Sequence, residues 1–149
     1  MFINGKGVTM RLLDRDVNLN ELSPLTLAFI GDGVYDLLVR EQLVCEANRP
    51  VGALNNEKIK TVCCTAQAKI AKELLKSLTE EETDVFKRGK NAHAMTVPKN
   101  AKKIDYHMAT GLEALFGYLY LKGDLERLRE LFALVETVQS ASMDKGDNV

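Results

Sequence analysis

A chain of 149 residues with 46% hydrophobic and 28% charged residues has the length and composition of one globular domain, able to bury roughly two thirds of its extended surface without disulfide staples. No apolar run approaches 18 residues, which excludes a membrane-spanning helix. Cys45, Cys63 and Cys64 form no Cys-x-x-Cys pair, which argues against both a disulfide framework and a zinc site. They are expected to be reduced, core-filling residues of a cytoplasmic protein, because the N-terminus shows neither a secretory nor a transit pattern. The formal net charge of −1 conceals an asymmetry. Lys87, Arg88, Lys90, Lys99, Lys102 and Lys103 lie between Phe86 and Ile104 with no acid among them, directly after Glu80, Glu81, Glu82 and Asp84. Such a block can serve a polyanion locally while the whole chain stays near neutral.

Residues 1–20 combine glycine and charge with little periodicity and read as a mobile arm. Ser23-Pro24 opens a helix that runs to about Cys45, serine capping an amide and proline giving up one that would be unpaired anyway. Within it, Leu27, Ile30, Val34, Leu37 and Leu38 form one stripe, while Leu25, Phe29 and Val39 share the far side with Asp32 and Asp36. Apolar residues on both faces predict a central, largely buried helix. Gly31 and Gly33 flank Asp32, and each costs a helix about 0.5 to 1 kcal/mol relative to alanine, so a close approach beside Asp32 is expected. A turn at 48–52 precedes two further helices, marked by Leu54, Ile59 and Val62 and then by Ala66, Ile70, Leu74, Leu75 and Leu78. Thr79 and Glu82 form a capping box that starts a short helix ending near Arg88 and Gly89. The stretch 89–103, GKNAHAMTVPKNAKK, reads as an exposed functional loop or a connector. Ile104 to Leu121 is helical, with Met108, Leu112, Leu115 and Leu119 toward the core and Gly123 closing it. Asp124 caps a last helix carrying Leu125, Leu128, Leu131, Phe132, Val135 and Val138, and a solvated tail begins at Ser140. Period-two runs and internal repeats are absent, so the fold class is all-α, in a single domain.

Glu113 shares a helix face with Tyr106, Ala109, Thr110, Gly117 and Tyr120, small enough in places for another helix to pack close. Asp32 and Glu113, on separate helices and each among small residues, are the hard oxygen donors that a shared magnesium ion requires. The competing reading makes Asp32 a helix acid bonded to neighbouring backbone or arginine, and Glu113 a surface acid.

Four blocks in order, LAFIGDGVYDLLV (27–39), KRGKNA (87–92), TVPKN (96–100) and TGLEALFGYLYL (110–121), resemble the ribonuclease III family, and most closely its Mini-ribonuclease III branch. The resemblance runs from about Leu22 to Leu131. It implies a ribonuclease III-type endonuclease domain over 21–139, with an arm at 1–20, a flexible tail at 140–149, no double-stranded-RNA-binding domain, and assembly as a homodimeric helical bundle. The implied activity is magnesium-dependent endoribonuclease cleavage of double-stranded RNA, leaving 5′-phosphate and 3′-hydroxyl ends. The branch matures the ends of large-subunit ribosomal RNA precursor, with a ribosomal protein as a possible helper. Asp32 matches the aspartate of the first motif and Glu113 the glutamate of the second, both catalytic Mg2+ ligands in the family. Three further acids of ribonuclease III proper are replaced here by Leu25, Ala28 and Thr110. That thinner set leaves the number of metals open, and leaves a catalytically silent duplex-RNA-binding or ribosome-assembly dimer as the alternative.

By the same resemblance, Arg88, Lys90, Asn91, Lys99 and Asn100 are expected to grip the phosphates and 2′-hydroxyls of a duplex, against the alternative of a merely solvated charge run. Leu25 and Phe29 are candidates for a dimer interface, or ordinary core. His93 is assigned to loop polarity and His107 to the surface. Asp36 is either a support for Asp32 or exposed, and Tyr106 and Tyr120 either bond Glu113 or pack.

Overall fold

The computed structural model describes residues 10–92 and 102–146, with the backbone of a two-residue antiparallel pairing, Ile3–Asn4 (β1) against Gly7–Val8 (β2). Its helices are α1 (Pro24–Glu46), α2 (Val51–Val62), α3 (Cys64–Leu74), α4 (Glu80–Asn91), α5 (Lys103–Lys122) and α6 (Leu125–Asp144). Short 3-10 turns stand at Leu19–Glu21 and Leu75–Ser77. His93, Lys99 and Asn100 lie outside the described residues.

Local chemistry sets the helix ends where the sequence predicts. Ser23 accepts from the Thr26 amide with Pro24 in the first turn, and Asp124 accepts from the Arg127 amide. Thr79 and Glu82 make the reciprocal capping box of α4. Gly123 ends α5 at φ 82°, the left-handed conformation that glycine adopts without a Cβ penalty.

The centre of the molecule is α5. Met108, Ala109, Leu112, Ala114, Leu115, Phe116 and Leu119 are all buried, so α5 is enclosed on every side and packs against α1, α3, α4 and α6. Tyr35 of α1 fits edge-on between Phe116 and Phe132, with ring centroids 5.3 and 6.3 Å away. Edge-to-face packing of three rings joins α1, α5 and α6 in one core.

Several expectations are corrected. α1 is not largely buried: Val39 is fully enclosed, whereas Leu37, Val44 and above all Phe29, 83% exposed, face outward. Periodicity shows that a face is apolar but not what covers it. α4 does not stop near Gly89 but continues to Asn91, because Gly89 is buried where α4 meets α5, and a Cβ there would lie 2.6 Å from that of Ala114. Lys90 and Asn91 are therefore helical. α6 likewise continues past Ser140 to Asp144. The cysteines are free, as expected, but Cys45 and Cys63 are exposed and Cys64 half-buried, so they do not fill the core.

Candidate active site

The site is built where α1 and α5 cross with their backbones in contact. A Cβ on Gly31 would lie 1.6 Å from the Glu113 carbonyl oxygen, and one on Gly117 would lie 2.0 Å from the Leu27 carbonyl oxygen. Both glycines are needed for this crossing, which sets Asp32 beside Glu113 although 81 positions separate them in sequence. Gly33 is different: a Cβ there would meet nothing within 4 Å.

The two carboxylates are electrostatically coupled and unequally solvated. Asp32 is exposed, and Glu113 is half-buried. Burial and the neighbouring negative charge of Asp32 push the Glu113 carboxyl up to about 8, opposed by a hydrogen bond from the side-chain amide of Gln67 on α3. Tyr35, near enough to feel the charge of Glu113, has its hydroxyl buried and without a hydrogen-bond partner. Burial, then the neighbouring Cys63 and Glu113, push that phenol well above its ordinary range. Asp36, one turn after Asp32, is otherwise engaged: burial would raise its carboxyl, but ion pairs with Arg40 and Lys58 outweigh this and hold it low. Its role is to tie α1 to α2. Thr110, where ribonuclease III proper has an acid, donates its hydroxyl to the Tyr106 carbonyl of its own helix at 3.0 Å.

The donor chemistry fits a divalent cation. Asp32 and Glu113 offer hard carboxylate oxygens, and burial, then the charge of Asp32, disfavour the ionised Glu113 carboxylate that a cation between them would favour. Among the described residues no group of three or more His, Cys, Asp or Glu side chains is placed to hold a metal.

A second, basic feature sits at the far end of α4. Arg88 and Asn91 are exposed and Lys90 half-buried in its last turn. Beside them Lys103, Ile104 and His107 of α5 complete a hollow of about 600 Å³ with Lys90 and Asn91. His107 is half-buried rather than on the surface, its Nδ1 enclosed and unpartnered. Neither tyrosine bonds Glu113: Tyr120 accepts the Leu12 amide at 3.0 Å, and Tyr106 stacks edge-on with His107. Sequence reasoning missed the influence of Gln67 and Tyr35 on Glu113 and the ion pair of Lys58 with Asp36. For Gln67 the only available signal was a long polar residue where α3 turns toward its apolar face.

Comparison with known proteins gives the family. The model of the family described as "Ribonuclease III domain" matches residues 25–124. A "Mini-ribonuclease 3" of Thermoanaerobacter sp. is 48% identical over 113 residues, covering 76% of this chain and 80% of the relative. One from Clostridium tetani is 41% identical over 133 residues, 88% of each chain. Among solved structures, a Fusobacterium nucleatum protein determined by X-ray crystallography superposes with a TM-score of 0.73 at 29% identity, covering 80% of this chain and 98% of that one. With the matched region containing both carboxylates and the crossing that joins them, the chain belongs to the ribonuclease III family, in its Mini-ribonuclease III branch, and is an endoribonuclease.

Proposed function

We propose that this endoribonuclease cleaves double-stranded RNA with Mg2+ held by Asp32 and Glu113, acting as a cytoplasmic homodimer that matures the ends of large-subunit ribosomal RNA precursor. The observation that carries the proposal is the coupled carboxylate pair at the α1–α5 crossing, where burial and Asp32 together hold Glu113 in a state that a bound cation would relieve. The named substrate and the dimer follow from the branch the chain belongs to.

When bound, a divalent ion at this pair supplies charge neutralisation at the scissile phosphate and an acidified water. The residues divide the remaining work. Asp32 is exposed, where a duplex backbone can reach it, and Glu113 is half-buried beside it. Arg88, Lys90 and Asn91, with Lys99 and Asn100 of the following segment, grip phosphates and 2′-hydroxyls, so that affinity is local on a chain of near-zero net charge. One carboxylate pair per subunit cuts one strand, and a two-fold dimer places a second pair on the opposite strand. The outward-facing Leu25 and Phe29 of α1, one turn apart, supply an apolar face for it.

Duplex RNA, duplex DNA and single-stranded RNA incubated with the protein, with and without Mg2+, test the reading. Cleavage of duplex RNA only, dependent on Mg2+ and leaving 5′-phosphate ends, is the expected result. Binding of the duplex without cleavage under any metal condition would favour the silent duplex-binding dimer instead.

A further inference from the structure

Several cations on the helices are matched by acids of the protein itself, among them Lys58 by Asp36, Lys60 by Glu57, Lys76 by Glu73 and Arg127 by Glu82. The hollow where α4 ends and α5 begins is different. Among the described residues its lining is Lys90 and Asn91 of α4 with Lys103, Ile104 and His107 of α5, which brings together two ammonium groups, an imidazole and an amide without any acid. Neither lysine is in an ion pair among the described residues, so both charges are available to an anion. His107 supplies an independent observation. Its Nδ1 is enclosed without a hydrogen-bond partner, and its ring meets Tyr106 edge-on with centroids 6.0 Å apart. An enclosed polar nitrogen is destabilising unless something bonds it, and a phenylalanine would make the same edge-on contact without that penalty. The imidazole therefore suits a state in which a ligand brings an oxygen to this ring.

We infer that this hollow seats one backbone phosphate of the bound duplex, with Lys90, Lys103 and His107 converging on the same anion. This rests on duplex RNA being the substrate. The volume of about 600 Å³ holds one phosphodiester with its waters, whereas the duplex itself must lie across the rim. An anion between two ammonium groups and an imidazole collects charge-assisted hydrogen bonds, which are stronger than neutral ones. His107 lies on the same helix as Glu113, six residues and about 9 Å of axial rise away, so the seat and the carboxylate pair can engage one duplex segment together. Lys103 and His107 thereby join Lys90 in holding the substrate on which Asp32 and Glu113 act.

The test is equilibrium binding of a blunt RNA duplex in Ca2+, across several salt concentrations, to the parent, Lys103→Gln, His107→Phe and the double variant, with melting curves of the RNA-free proteins beside it. A second cycle, Lys90→Gln with Lys103→Gln, leaves the ring untouched and serves if His107→Phe does not fold. Each single change should weaken binding about 3- to 30-fold, and Lys103→Gln should also lower the salt slope by roughly 0.7 to 1. Because the residues meet one phosphate, each double variant should lose at least about threefold less than the product of its two single losses. His107→Phe should melt no lower than the parent, since it removes an enclosed, unpartnered nitrogen, whereas exchange of a purely structural histidine would leave RNA binding alone. If the folded single variants bind like the parent, or if the losses simply multiply, the seat is overturned while the parent's own binding keeps the duplex reading. If the parent binds no duplex RNA, both fall together.

Discussion

Among the described residues no ion pair reaches Asp32 or Glu113, Lys58 and Arg40 being held by Asp36. Replacing either carboxylate with its amide keeps the shape and removes a ligand charge. Asp32→Asn and Glu113→Gln should therefore fold, bind duplex RNA in Ca2+, and lose at least about 100-fold in single-turnover cleavage with Mg2+. In the metal-free state Glu113→Gln should unfold at no lower urea concentration than the parent, since burial, then Asp32, already disfavour a charge at this position. The glycines beside Asp32 separate by the same kind of reasoning. Gly31→Ala would force its Cβ into the Glu113 carbonyl and should cost about 3 kcal/mol or more in urea unfolding. Gly33→Ala meets open space and should gain roughly 0.5 to 1 kcal/mol of helix propensity. Equal effects at the two positions would contradict the crossing. From sequence the two glycines look alike, because both flank the acid and only the approach of α5 distinguishes them.

Between elements, the strongest electrostatic tie is the one joining α4 to α6. Arg127 donates from Nε to Glu82 Oε2 at 2.8 Å and from its Nη2 to Glu82 Oε1 at 2.9 Å, and the same nitrogen reaches the Ser77 carbonyl at 2.9 Å. Glu82 is 4% exposed, so removing its partner leaves a buried charge, and Arg127→Met should destabilise by about 3 to 5 kcal/mol. Hydrogen bonding to Arg127 holds the Glu82 carboxyl below its ordinary value of 4.5, despite the opposing effect of burial. A depressed folded-state pKa stabilises the protein above the unfolded value, and the contribution disappears as pH falls through the folded one. The parent should thus lose stability below about pH 4.5 more steeply than Glu82→Gln, measured by thermal melts across pH 3 to 6. The capping box was legible from Thr79 and Glu82 alone, but the second task of Glu82 was not, because Arg127 lies 45 residues away and only helix packing joins them. At the other end of α4, Lys90→Ala and Arg88→Ala should each lower the salt slope of duplex binding by roughly 0.7 to 1, read in Ca2+ across several salt concentrations. An unchanged slope would mean that the RNA grip lies elsewhere.

For the whole molecule, the outward face of α1 carries the prediction. Leu25 and Phe29 are exposed one turn apart on the helix that also bears Asp32, and a face of this kind next to the proposed one-strand site suits a two-fold partner. Phe29→Glu should leave the fold intact, shift sedimentation toward the monomer and convert double-strand cuts into nicks or abolish them. A variant that remains dimeric and cuts both strands would place the interface on another surface.

What the sequence determined by itself is what depends on neighbours within a turn or two: the helical class, the caps at Ser23, Thr79 and Asp124, the stop at Gly123, and the two family carboxylates with the small residues that flank them. Tertiary structure alone decided that α5 and not α1 lies at the centre, because apolar periodicity is the same for a face against the core and one that looks outward. It also decided that Gly31 and Gly117 close the α1–α5 crossing while Gly33 does not, and that α4 runs through Gly89 because α5 fits against it.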